Sequence, residues 1–234
     1  MIQLDIPIGK IAKKLSKVSD ELILYGKAGD KLYLFAIDPS QTMLVQIDAG
    51  IAMDEDFMAG IPVKELGETN KGVRYVMDYD QGVWKISYET STGTKVRKKI
   101  NGLEPAISNI DVILNEDWSM MNGEAVVDYS SINQALSEIE EENIVLRFVT
   151  GKPGKMIISA DGPGKEIEVE TNINEVVKPF EVRVTRSTFE NTIEILEPLT
   201  RGFRIGLSKN GILVIEPSVS KTFTRALVSP VVRT

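Results

Sequence analysis

Short apolar runs, rich in Val, Ile, Phe and Tyr, recur along the chain and are mostly separated by Gly, Asp, Asn or Pro. Such runs are typical of β-strands bounded by turns. Their close spacing predicts meandering antiparallel sheets. The predicted strands are 31–36, 43–48, 73–77, 83–88, 95–100, 144–149, 155–159, 167–171, 203–207 and 212–216.

A few segments have helical spacing instead. The first runs from Gly9 to about Leu22, with an apolar face formed by Ile11, Leu15, Val18 and Leu22. The other predicted helices are 63–69, which follows Pro62, 130–141, which begins at a Ser130 cap, and 187–196.

Both halves of the chain repeat one order of elements: a strand, a helix, several strands, a short helix and more strands. The strand 2–7 opens the first half and the strand 124–129 opens the second. This order predicts an internal structural duplication, although residue identities between the halves are weak. The predicted organisation is a first domain at 1–106, a connector at 107–123 that contains a strand at 107–112, and a second domain at 124–234.

Composition narrows the possible functions. The 234 residues include neither cysteine nor histidine, which removes disulfides, the usual zinc sites, thiol nucleophiles and the commonest general base. We therefore expect a protein that binds no metal ion or cofactor and is not an enzyme. The chain has no apolar run near the roughly 20 residues of a membrane helix and no secretory signal, so we expect a soluble intracellular protein.

The formal net charge of −7 argues against nucleic-acid binding unless positive charge is concentrated on one surface. Lys10, Lys13, Lys14 and Lys17 have this concentration, because they recur at i, i+3, i+4 and i+7 on the first predicted helix. Four like charges in one stripe repel one another, so a polyanion lying along the stripe would explain the pattern. The alternative is a solvated helix face that lacks acidic residues.

Two strand segments carry opposite charge. The segment 95–100 contains Lys95, Arg97, Lys98 and Lys99, whereas Glu166, Glu168 and Glu170 alternate with apolar residues in 165–171. Exposed strand edges pair readily with another chain, and a basic and an acidic edge would pair head to tail between subunits. Such heterologous contacts form a ring when the rotation closes. The alternatives are solvated strands or pairing within one chain.

Several segments resemble the proliferating cell nuclear antigen (PCNA) family of DNA sliding clamps. The residues 11–18 (IAKKLSKV) are similar to the family's opening helix, and 34–47 (LFAIDPSQTMLVQI) to its most recognisable run. The residues 125–136 (AVVDYSSINQAL) match its entry into the second domain, and 227–232 (LVSPVV) its closing segment. The matches follow the family's order over nearly the whole chain.

The resemblance implies an α+β fold of two similar clamp domains, with antiparallel sheets outside and short helices lining the inner face of a ring of three subunits. It implies a processivity factor that encircles double-stranded DNA without reading sequence. It also implies tethering of DNA polymerase, the clamp loader and other replication and repair proteins, which insert a short apolar-aromatic peptide beside the connector. Such a protein lies with the DNA inside the cell.

The resemblance also assigns residues. It places Lys10, Lys13, Lys14, Lys17, Lys64 and Lys71 against DNA, and Ile37, Leu44, Val112, Ile113, Leu227 and Pro230 in the partner-peptide groove. The groove residues have an alternative role, which is to pin the connector to the body. The charged edges supply the subunit-interface candidates Lys95, Arg97, Lys99, Glu166, Glu168 and Glu170. The third predicted helix departs from the family because it has no basic residue.

Two other functions stay open at this point. The chain can be a subunit of a heteromeric clamp, or a clamp homologue that modulates another ring. A remote alternative is a carboxylate- or metal-dependent hydrolase with oxygen ligands such as Asp38, Asp54 and Asp56. Asp38, however, lies in a predicted turn, where aspartate commonly makes local hydrogen bonds.

Overall fold

The computed structural model describes residues 1–4, 6–67, 72–105, 109–160, 168–219 and 223–231. The fold is α+β, with antiparallel sheets and a few short helices, as predicted. The chain divides into two compact units. The described residues within Met1–Pro39, Leu44–Leu114 and Lys221–Thr224 form the first unit, and those within Ser40–Met43, Asn115–Ser220 and Arg225–Thr234 form the second.

The first unit contains two antiparallel groups of strands and three short helices. Its strands follow the orders β1-β6-β7-β8 and β4-β3-β2-β5. The elements are β1 (Ile2–Leu4), α1 (Ile8–Leu15), β2 (Glu21–Gly26), β3 (Lys31–Ile37), β4 (Met43–Ala52), β5 (Phe57–Pro62), α2 (Val63–Gly67), β6 (Gly72–Asp80), β7 (Val83–Thr90), β8 (Lys95–Asn101) and α3 (Ile110–Asn115).

The core of the first unit joins these two groups of strands. Trp84 in β7 is fully buried, and its indole N–H donates to the carbonyl of Gly60 in β5 at 2.9 Å. Phe57 of β5 packs edge-on against the Trp84 ring. The tight β6–β7 turn uses Gln81 and Gly82, both at positive φ, which is the backbone of a two-residue hairpin that matches strand twist.

The second unit has the same plan. Its strands follow the orders β13-β9-β15-β16-β17 and β12-β11-β10-β14. The elements are β9 (Gly123–Asp128), α4 (Tyr129–Ser137), β10 (Asn143–Val149), β11 (Gly154–Ala160), β12 (Glu168–Ile173), β13 (Glu175–Lys178), β14 (Phe180–Thr185), α5 (Arg186–Leu196), β15 (Gly202–Leu207), β16 (Leu213–Pro217) and β17 (Thr224–Val228).

The strand orders of the two units correspond. In the first unit the opening strand β1 lies beside the last three strands, β6 to β8; in the second, β9 lies beside β15 to β17. The order β4-β3-β2-β5 likewise has its counterpart in β12-β11-β10-β14. The two units therefore share one topology, although the short β13 is an addition in the second.

The prediction for the first helix was wrong at its C-terminal end. Helix α1 ends at Leu15, and Leu22 lies in β2 with 1% of its surface exposed. The chain turns after Leu15, where the N–H of Ser19 donates to the carbonyl of Leu15 at 2.8 Å. Leu22 is apolar because it is a core residue of β2, which lies between β3 and β5. Its fit to the spacing of the α1 apolar face is therefore not a sign of helix.

Two further element predictions need correction. The predicted strand 107–112 is replaced from Ile110 onward by helix α3, and residues 106–108 lie outside the described part of the chain. Asp111 in the first turn favours a helix because its charge complements the helix dipole. Helix α4 begins after Asp128, whose backbone is extended, and not after Ser130. It ends at Ser137, although Ile139 beyond it stays buried.

Over the described ranges, no helix has both the length and the apolar character needed to span a membrane.

Candidate functional site

Helix α1 presents lysines on the side opposite its buried face. Ile8, Ile11 and Leu15 are completely buried, which fixes the helix against the first unit. Lys10 and Lys13 are exposed and Lys14 is half-buried. Because the helix ends at Leu15, Lys17 is exposed in the turn that follows, where its N–H donates to the carbonyl of Lys14.

Two of these lysines also stabilise the helix. Lys13 and Lys14 occupy its last turn, where positive charge complements the partial negative charge of the free carbonyls. Their position therefore has a local benefit of about 0.3–1 kcal/mol each besides any contact with a polyanion.

Helix α2 packs directly on α1, and Gly67 allows the close approach. A Cβ atom at Gly67 would lie 3.1 Å from both the Cα and the N of Lys13. Lys64 is exposed on α2, so it belongs to the same pair of helices as the α1 lysines. Lys71 lies outside the described residues.

Replacing Gly67 by valine is expected to lower the free energy of unfolding by about 1–3 kcal/mol, because the side chain would overlap the α1 backbone. Gly67→Ala should lower the free energy of unfolding by less, because the alanine side chain is smaller and alanine is a better helix former than glycine. Urea denaturation of the three proteins measures both effects. Equal stability of all three would show that the spacing of α1 and α2 is not set by this glycine.

The helices of the second unit carry much less positive charge. Helix α4 has neither lysine nor arginine, as the sequence indicates, and exposes Asn133 and Gln134. The single basic residue of α5 is Arg186, which donates to the carbonyl of Leu136 at 3.2 Å and lies 3.5 Å from Glu190. Arg186 therefore holds the C-terminal end of α4.

The basic strand β8 lies at the end of its sheet, with β7 as its neighbour among the described strands. Lys95, Arg97 and Lys99 are exposed and, as alternate residues, share one face. Lys98 points to the other face, where its ammonium donates to the carbonyl of Glu65 at 3.1 Å. Three positive side chains thus follow one sheet edge at a spacing of about 6.7 Å.

The acidic strand β12 lies at the end of a sheet in the second unit, with β11 as its neighbour among the described strands. Glu168 and Glu170 are exposed on one face. Glu170 already contacts Lys155 of β11, at 2.6 Å, so part of its charge is balanced within the subunit. Glu166 lies outside the described residues.

The groove candidates fall in both units. Ile37 and Leu44 are directly opposed across β3 and β4, half-buried and buried respectively. Val112 of α3 is 66% exposed, while Ile113 is half-buried. In the second unit, Leu227 is buried opposite Val214, and Pro230 is half-buried beyond the end of β17. Among the six groove candidates, Val112 alone is strongly exposed.

Helix α3 is attached to the first unit by an acidic side chain that the sequence did not single out. Asp111 accepts hydrogen bonds from the Tyr25 hydroxyl at 2.5 Å and from the Lys27 ammonium at 2.8 Å, one on each carboxylate oxygen. The bond from Lys27, followed by that from Tyr25, lowers the pKa of Asp111. The pKa of Lys27 is raised by the same contact.

The rest of the connector is attached to the second unit. Glu116 accepts hydrogen bonds from Lys209 and Asn210, both at 3.2 Å. The indole ring of Trp118 lies 5.9 Å from the guanidinium of Arg225, which is 7% exposed. A cation over an aromatic face is attractive, and burial strengthens the attraction.

The carboxylates of the hydrolase alternative, Asp38, Asp54 and Asp56, are not grouped as ligands of a metal ion in the part of the chain that the structure describes. Within the described ranges, no three acidic side chains are grouped closely enough to hold a metal ion. Asp56 instead accepts a hydrogen bond from the N–H of Ala28 at 3.0 Å, which is a structural contact.

Comparisons with known proteins agree with this architecture. No protein-family model and no curated protein matches the sequence. The structure is similar to the crystal structure of a PCNA2–PCNA3 complex from Sulfolobus tokodaii, with a TM-score of 0.75 over 98% of each chain and 14% sequence identity. At this identity the likeness concerns the fold, and the chain therefore has the fold of a PCNA-type sliding clamp subunit.

Proposed function

We propose that this protein is a subunit of a DNA sliding clamp, a non-enzymatic ring that encircles duplex DNA and tethers replication and repair proteins. The observation that carries the proposal is the clamp fold, which extends over 98% of both compared chains. Fold alone does not specify function, so the charged surfaces supply the second argument.

The DNA-contacting residues in this proposal are those of the α1–α2 pair: Lys10, Lys13, Lys14, Lys17 and Lys64, together with Lys71. In a chain of net charge −7, positive charge concentrated on one helix favours a polyanion at that place. The lysines would contact phosphates and leave the bases unread. Because the α4 and α5 helices carry little positive charge, the first unit would make most of these contacts.

Ring closure in this proposal uses the two sheet edges. The cationic edge of β8 would pair with the acidic edge of β12 in the next subunit, and head-to-tail repetition of this contact closes three subunits into a ring. The position of both segments at sheet ends supports this pairing, since an end strand has unpaired backbone groups. Charge complementarity would set the register.

The client site in this proposal is a groove beside the connector. Val112 and Ile113 on α3, with Ile37, Leu44, Leu227 and Pro230, would receive the apolar side chains of a client peptide from a polymerase, clamp loader or repair protein. Support comes from Val112, since a valine that is 66% exposed on a connector helix is available for contact with a partner.

A heteromeric ring is the second candidate. The similar solved structure is a complex of two different clamp subunits, PCNA2 and PCNA3. If this chain follows that pattern, its β8 and β12 edges would pair with a different subunit and the chain alone would not trimerise.

Solution mass and topological retention on DNA test the proposal together. Light scattering over a range of concentrations is expected to give a mass near three times 25.9 kDa. On linear duplex DNA, blocking both ends with streptavidin after binding should greatly slow release, because a closed ring leaves through an end. A monomer at every concentration favours the heteromeric alternative, and release that ignores the blocked ends contradicts encirclement.

A further inference from the structure

Helix α3 is held through its own Asp111, which binds two side chains from a distant part of the sequence, Tyr25 and Lys27. The Tyr25 hydroxyl and the Lys27 ammonium each bind one oxygen of the Asp111 carboxylate. Tyr25 lies near the end of β2, and Lys27 follows directly after the last residue of that strand, Gly26. We call Tyr25, Lys27 and Asp111 the α3 clamp.

The Tyr25 side chain is a well-positioned donor. Its ring is half-buried and packs edge-on against Phe35, whose side chain is completely buried, at a centroid distance of 6.4 Å. Strand β2 lies between β3 and β5, so the backbone that carries Tyr25 is paired on both sides. The phenol oxygen therefore has little freedom, and Asp111 binds a fixed point of the fold.

Helix α3 needs such an anchor because it is short. It has six residues, of which Ile110 is the buried one at 2% exposure. Helices of this length are unstable without tertiary contacts. Ile110 packs beneath the helix and Asp111 is bound to Tyr25 of β2. Val112 lies about 100° round the helix from Asp111 and is exposed.

We propose that Asp111 is a positioning residue for client binding: the α3 clamp fixes helix α3 so that Val112 and Ile113 are held ready for a client peptide. This inference rests on the proposed clamp function, because it assigns α3 to the client groove. A preorganised helix spares the ordering cost that a mobile one would incur on binding, and so gives a tighter complex.

Within the α3 clamp, the hydrogen bond from Tyr25 contributes more to holding the helix than the ion pair with Lys27. An exposed ion pair such as Lys27–Asp111 contributes little by itself. The Tyr25 hydroxyl adds a hydrogen bond to a charged acceptor from a fixed position, which is a stronger class of contact. The hydrogen bonds from Lys27 and Tyr25 lower the pKa of Asp111, so both contacts favour the ionised carboxylate that accepts them.

The experiment combines amide hydrogen exchange with peptide binding. Asp111→Asn and Tyr25→Phe each change few atoms, and each is expected to speed exchange in residues 110–115 by about tenfold and to weaken peptide binding by a similar factor. The probe is a fluorescein-labelled short peptide that carries one leucine and two phenylalanines. Glu116→Gln is the matched control: it removes another carboxylate of the connector, which binds Lys209 and Asn210 instead, and exchange in 110–115 should not change.

The two measurements separate the inference from the proposed function. Unchanged exchange in both Asp111→Asn and Tyr25→Phe would show that the α3 clamp does not hold the helix. Faster exchange with unchanged peptide affinity would overturn the positioning role. A wild-type protein that binds no peptide contradicts the proposed client groove. The exchange data still decide whether the α3 clamp holds the helix.

Discussion

Replacing Lys13 and Lys14 by glutamate is expected to weaken binding to duplex DNA by about 50- to 100-fold at 0.1 M salt and to leave assembly intact. Each lysine–phosphate contact contributes about 0.9 to the slope of log affinity against log salt concentration, so losing two contacts reduces the slope by about 1.8. Over the tenfold range from 1 M to 0.1 M salt, that slope change corresponds to the stated factor. Fluorescence anisotropy of a labelled duplex at several salt concentrations measures it.

A charge-matched control is available in the second unit. Lys152 and Lys209 are both exposed, so Lys152→Glu with Lys209→Glu makes the same change in net charge at a distance from α1 in the sequence. Affinity should change little in this control. An equal loss in both double variants would mean that net charge, and not the α1 lysines, governs binding. Thermal melting must accompany the comparison, because glutamate in the last turn of α1 costs about 0.3–1 kcal/mol per residue through the helix dipole.

Replacing Glu168 and Glu170 by lysine is expected to weaken subunit association by at least about 100-fold, which leaves monomers at micromolar concentration. The substitution would place positive charge opposite Lys95, Arg97 and Lys99 of the neighbouring subunit, and like charges across an interface cost several kcal/mol. Sedimentation velocity or light scattering gives the association state.

Two companion variants define the result. Glu138→Lys with Glu140→Lys changes two exposed acidic residues outside β12 and should leave association unchanged. The reciprocal variant, in which Lys95, Arg97 and Lys99 become glutamate, should also be monomeric. Mixing it with the β12 variant should restore association, because both possible β8–β12 contacts between the two variants join opposite charges. A trimer that persists in the β12 variant would show that these edges are not the interface.

The sheets were largely predictable because alternation of apolar and polar residues reflects burial on one face. The predicted strands 83–88 and 203–207 became β7 and β15 with small changes at their ends. Strands β2, β5, β13, β14 and β17 were not predicted. In β5, Gly60 and Pro62 obscure the strand signal, although glycine is needed at residue 60 because a Cβ there would lie 2.9 Å from the carbonyl oxygen of Leu103.

The residues of the proposed functional surfaces are recognisable in the sequence to different degrees. The α1 lysines and the charged strands stand out because the charged residues are near one another in sequence. The α3 clamp does not, because Tyr25 and Asp111 are 86 residues apart and no motif joins them. Gly67 is similar: its closeness to Lys13 follows from helix packing and has no local signal.

The sequence by itself determined the α+β class, the repeated order of elements, the absence of histidine and cysteine chemistry and the location of positive charge. These properties depend on composition and on short-range periodicity. The tertiary structure alone decided where α1 ends, that β8 and β12 lie at the ends of their sheets, and that α3 is bound to β2. Each of these depends on contacts between residues far apart in the chain, where burial and hydrogen bonding override local preference.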